Sequence, residues 1–136
     1  MNAVLRALVR QRAGDRCEYC HLPEEFSELR FHIEHITPRR HGGTETAENL
    51  ALACPDCNFA KGPNLAAIEP SSHKMVRLFN PRRDRWGQHF HSRDAHIVGK
   101  SAVGRATIAL LKMNDVQRLR IRSQLLELGI CPGEKD

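Results

Sequence analysis

Between Phe31 and Pro38 the chain reads FHIEHITP, two histidines and a glutamate set among apolar residues and closed by a proline. Imidazole and carboxylate groups in so short a run can move a proton or hold a cation near neutral pH. A strand that only packed could use any convenient polar residue, so this choice points to a site. Two C-x-x-C pairs flank the run, Cys17 with Cys20 and Cys54 with Cys57. Four thiolates from two tight turns suit one tetrahedral zinc, which takes sulfur ligands without redox chemistry. Two disulfides or a redox C-x-x-C are the competing readings. The first lacks a secretory context, and the second needs no matching pair. The fifth cysteine, Cys131, has no partner and reads as a bystander.

Short elements must position these groups. Phe31–Ile36 reads as one strand and Leu50–Ala53 as another, joined by a Gly42-Gly43 turn and a polar loop. After CPDC, the run NFAKG opens a helix that Gly62-Pro63 soon interrupts. A zinc shared by the two pairs would clamp the start of that helix to the segment before the first strand.

In this order and spacing the run resembles the HNH nucleases, whose core is a treble-clef-like ββα-metal finger. The resemblance rests on EHI-TP with His35, HGG at His41 to Gly43, NL with Asn49, and CNFAKG with Asn58, Lys61 and Gly62, and covers Cys17 to Gly62. Asn58 at the third signature position makes this an H-N-N variant, and Glu34 stands where many members carry Asp. The stretches RLFNPRRDRWGQHF and VGRATIALLKMND are similar to the tail of a subgroup of small free-standing bacterial HNH proteins.

The resemblance implies a metal-dependent endonuclease that hydrolyses DNA phosphodiester bonds, leaving 3′-hydroxyl and 5′-phosphate ends. It makes His35 the general base, and Asn49 the support of the loop that follows it. Glu34 and the carboxamide oxygen of Asn58 become ligands of one Mg²⁺ or Mn²⁺, and the cysteines Cys17, Cys20, Cys54 and Cys57 those of a structural Zn²⁺. Lys61 becomes a DNA contact, and His41 either reaches a phosphate or caps the Gly-Gly turn. Adjacent side chains on a regular strand point to opposite faces, so the strand must twist or end near Glu34. Otherwise His32, which shares a face with Glu34, joins the metal site or orients that carboxylate. The alternative function is a zinc module that binds nucleic acid without cutting it; a zinc-held protein-interaction module is a third.

The rest of the chain is read from pattern. Val4, Leu5, Leu8 and Val9 place an amphipathic helix before Gly14. VRLF and AHIVG read as strands. Ser101 starts a helix to about Met113, and Asn114 or Asp115 starts a last one ending at Gly129, with Val116, Leu119, Leu126 and Ile130 as its core contacts. Eight lysines and arginines fall between Lys74 and Arg105 against Asp84 and Asp94, with Phe79, Trp86 and Phe90 interleaved. Such a hairpin could track a phosphate backbone through Arg82, Arg83 and Arg85, or could pack its aromatics and leave its arginines in water. A net charge of +5 likewise favours a polyanionic partner such as DNA. The expected fold class is α+β in a single compact domain, with the finger and its N-terminal helix at 1–69 and a strand and helix extension at 70–136. No stretch reaches the length of a membrane span, and the reduced thiols suggest the cytoplasm.

Overall fold

The computed structural model describes residues 1–130, so Cys131 lies outside the described residues. The chain is α+β and divides into two compact units. One is Met1–Asn64 with Asn80–Arg83; the other is Leu65–Phe79 with the chain from Asp84 onward.

The first unit opens with helix α1, Ala3–Ala13. The Asn2 side chain accepts from Leu5 N at 2.8 Å to start it, and Gly14 ends it in the left-handed region at φ 65°. Its buried face differs from the apolar stripe in the sequence. Val9 is buried, but Val4 is 80% exposed and Leu8 is exposed too. Arginines anchor the helix instead. Arg10 donates to Glu24 Oε1 at 2.6 Å and to Phe31 O at 3.1 Å, while Arg12 donates to Ala47 O at 3.0 Å and Leu50 O at 2.7 Å. The guanidinium fork satisfies carbonyls that an aliphatic face would leave bare.

Strands β1, His32–His35, and β2, Leu50–Ala53, pair antiparallel, with Glu34 opposite Ala51 and His35 opposite Leu50. All four β2 residues are buried, with α1 packed against that strand. Helix α2, Pro55–Lys61, packs on β1. Its proline sits in the first turn, where a missing N–H costs nothing, and the Cys54 sulfur accepts from Cys57 N at 3.4 Å. This is the ββα order.

In the second unit β3, Ala66–Ile68, pairs with β4, Met75–Arg77. After the short helix α3, Trp86–His89, β5, Phe90–Arg93, pairs with β6, His96–Gly99. The expected AHIVG strand is β6, while VRLF shares only Val76 and Arg77 with β4, and each strand pairs with a neighbour that the sequence pattern did not reveal. Helix α4, Ala102–Leu111, packs on β3, β4 and β6, and the Ser101 hydroxyl accepts from Gly104 N at 3.0 Å.

Helix α5, Val116–Glu127, corrects another expectation, because Val116 and Leu126 are exposed while Arg118, Arg122 and Leu125 are buried. Arg118 donates to Leu111 O at 2.6 Å, and Arg122 to Ala95 O at 2.6 Å and Met113 O at 2.5 Å. Arg118 thus caps the carbonyl end of α4, where its dipole is negative, while Arg122 ties the turn between β5 and β6 to the segment after α4. Among the described residues no helix is long and apolar enough to cross a membrane.

Candidate zinc centre and hydrolytic site

The sulfurs of Cys17, Cys20, Cys54 and Cys57 are buried and lie within 4.8 Å of one another, with Cys20 and Cys54 Sγ 3.7 Å apart. A tetrahedron with Zn–S bonds of ~2.3 Å has edges of ~3.8 Å, the spacing of Cys20 and Cys54, so the four clustered sulfurs suit a zinc ion. Each knuckle closes in the same way, Cys20 N donating to Cys17 Sγ and Cys57 N to Cys54 Sγ, both at 3.4 Å. His21 turns the first knuckle in the left-handed region at φ 67°, its N–H on Cys17 O. Burial pushes the Cys17 and Cys57 thiols well up, as expected of sulfurs that lose their protons only to a metal.

Across the finger, a hollow of about 370 Å³ is lined by Glu34, His35, Asn58, Arg39 and Arg40, among others. Strand β1 brings Glu34 and His35 to it, helix α2 brings Asn58, and the turn after Pro38 brings the two arginines. Glu34 and His35 look to different partners, as strand alternation requires. Glu34 is 7% exposed; its Oε1 accepts from the Tyr19 hydroxyl, and its Oε2 lies 3.5 Å from Lys61 Nζ. Burial raises the Glu34 carboxyl above its ordinary value, and Lys61 and Tyr19 oppose that rise. His35 turns to the loop: its Nε2 is buried without a hydrogen bond among the described residues, 3.7 Å from Glu45 Oε1. His32 is exposed and lies outside this lining.

The loop after β1 is held by the Asn49 carboxamide. Its Oδ1 accepts from Thr37 N at 2.8 Å, and its Nδ2 donates to Thr37 O at 2.9 Å and Thr44 O at 2.8 Å. Gly43 sits so close to this loop that a Cβ there would lie 1.7 Å from Thr37 O. Gly42 takes the left-handed region at φ 86°. The HGG run is thus the sequence of a tight turn, and the His41 ring stands exposed on it.

Several expected DNA contacts lie elsewhere. Lys61 is only 2% exposed, donating to Ile36 O at 3.0 Å and facing Glu34, so it braces the finger from within. Arg82 is half-buried and donates to Glu18 Oε1, while Glu18 Oε2 accepts from Leu52 N at 2.8 Å. Burial and the nearby Arg12 push the Arg82 guanidinium down to about 10. Arg83 and Arg85 are exposed. Phe79, Trp86 and Phe90 are buried against one another, Phe79 and Phe90 edge to face at 5.2 Å, so none can stack on a base. Sequence reasoning passed over Tyr19, Glu18, Glu45, Arg39 and Arg40. For Arg39 and Arg40 a signal was present, since they directly follow the strand and the Pro38 stop.

Residues 17–64 match the family model described as HNH endonuclease. Over those residues the chain is similar to the HNH endonucleases. Over 116 residues the chain is also 24% identical to the Septu protein PtuB of Bacillus thuringiensis, an alignment that takes in 80% of this chain and 40% of that protein. The chain thus spans less than half the length of the curated relative that it matches. No solved structure matches the chain. The hollow beside β1 and the four-cysteine centre both fall within the matched residues.

Proposed function

We propose that the chain is a metal-dependent DNA endonuclease of the HNH type, with His35 as general base. One observation carries the reading: an HNH-matched finger lines one hollow with His35, Glu34 and Asn58 and rims it with two arginines. With Nε2 walled in beside Glu45, the Nδ1 of His35 is the nitrogen assigned to the attacking water. Arg39 and Arg40, both exposed, are assigned to the phosphates flanking the scissile bond. Asn49 keeps His35 in place by fixing the loop behind it.

The donor set suits a hard divalent cation. The Asn58 side chain makes no hydrogen bond among the described residues and is therefore free to bind. Glu34 supplies the one carboxylate, and Mg²⁺ commonly completes its octahedron with waters. When bound, the cation would supply positive charge to the phosphate and the leaving 3′-oxygen. Everything else is asked of the chain: to seat the phosphodiester, take a proton from water at His35, and keep Glu34 and Asn58 aimed at one point.

The test is supercoiled plasmid incubated with Mg²⁺ or Mn²⁺, with and without EDTA, for the parent and Asn58→Ala. Nicking that needs the cation, and that needs more of it in Asn58→Ala, is expected. A protein that binds DNA yet never nicks it with any divalent cation would be a zinc module alone, and that result would falsify the reading.

A further inference from the structure

The two partners of Glu34 come from the two zinc knuckles. Tyr19 lies inside the first, between Cys17 and Cys20, and its hydroxyl donates to Glu34 Oε1. Lys61 lies at the far end of the helix that the second knuckle starts, and its Nζ faces Glu34 Oε2 at 3.5 Å. All three side chains are buried. The cysteine centre therefore sets the spacing between two groups that grip one carboxylate from either side.

The chemistry of Tyr19 is informative in itself. A phenylalanine would fill the same buried volume, and the hydroxyl is a polar group that must find a partner once buried. It finds Glu34. A carboxylate offers about four lone-pair positions over its two oxygens. Tyr19 and Lys61 claim one on each oxygen, leaving the others for a cation at the hollow. Those two contacts fix the carboxylate about its last bond, a torsion with only a broad preference of its own.

We infer that Tyr19 is a positioning residue for the divalent cation, its hydroxyl fixing Glu34 so that the zinc knuckle sets the geometry of the hydrolytic site. The inference rests on the reading of Glu34 as a cation donor. Outer-shell partners of metal-binding carboxylates commonly contribute ~10–100-fold in metal affinity, and that range is assigned to this hydroxyl.

The experiment uses the full chain with zinc retained and titrates Mn²⁺ against parent, Tyr19→Phe and Glu34→Gln, reading free Mn²⁺ by electron paramagnetic resonance and zinc by elemental analysis. Tyr19→Phe is expected to keep its zinc and its DNA affinity while binding Mn²⁺ ~10–100-fold more weakly. In plasmid nicking, its half-activating Mn²⁺ concentration should rise by more than its plateau falls. An Mn²⁺ curve that overlays the parent's, with zinc intact, overturns the inference while leaving Glu34 a donor. Loss of zinc from Tyr19→Phe overturns it equally, because the hydroxyl would then serve the knuckle. Glu34→Gln binding Mn²⁺ like the parent removes the underlying donor assignment, and the inference falls with it.

Discussion

Lys61 shows what a single residue can hide. In the sequence it is one more cation near an expected phosphate site; in the fold it is among the most buried side chains, placed against a buried carboxylate. Removing one member of a buried ion pair strands the other and typically costs about 3–5 kcal/mol. Lys61→Met should therefore destabilise the finger by about that amount near neutral pH, read as faster hydrogen exchange at the β1 and β2 amides. The loss should shrink in acid, where the Glu34 carboxyl, already raised by burial, takes up a proton and no longer needs the ammonium. Equal losses at both pH values would mean that the pair carries no charge coupling. The partnership was illegible because Glu34 and Lys61 stand on different elements, whereas the cysteine quartet announced itself through spacing.

At the scale of elements, the two glycines of the turn make a contrast. Gly43→Ala would drive a Cβ to 1.7 Å from the Thr37 carbonyl, into the loop that Asn49 secures behind His35. Overpacking of this kind costs about 1–3 kcal/mol. Thermal unfolding should reveal it, and nicking should fall with it. Gly42→Ala meets nothing within 4 Å, so its cost is confined to the left-handed backbone, about 1–2 kcal/mol.

In the second unit, the turn between β3 and β4 is tied by Glu69. Backbone N–H groups of Ser71 and Ser72 and the side chain of Arg105 hold its carboxyl down to about 2, against an ordinary 4.5. A depressed carboxyl adds stability that is present above pH ~4.5 and lost as pH falls towards ~2. In acid titrations followed by the fluorescence of the lone tryptophan, Trp86, Glu69→Gln should lose much of the pH dependence in that window. An unchanged profile would remove Glu69 from the acid transition. The strand, loop, strand, helix order of the finger was legible from apolar runs and turn residues. Strands β3 and β5 were not, because a three-residue strand with one buried position, and a polar FHSR run, carry too little alternation to be read. The buried arginines of α5 inverted the apolar pattern for a related reason: carbonyl capping, not hydrophobicity, decides which face they cover.

For the whole molecule, an aromatic-poor chain gains from a metal that fastens the finger together. One zinc per chain is expected by elemental analysis, and Cys57→Ser should lower both zinc content and folding stability. Metal-free protein that stays fully folded would contradict this. The central claim is that His35 takes a proton from water in an HNH site, and one measurement bears on it most directly. The single-turnover rate of plasmid nicking in Mn²⁺ should fall ~10²–10⁴-fold in His35→Ala, the usual worth of a general base, while zinc content and DNA affinity stay at the parent's values. A His35→Ala protein that nicks as fast as the parent would contradict the account and leave the imidazole a strand-end residue beside Glu45.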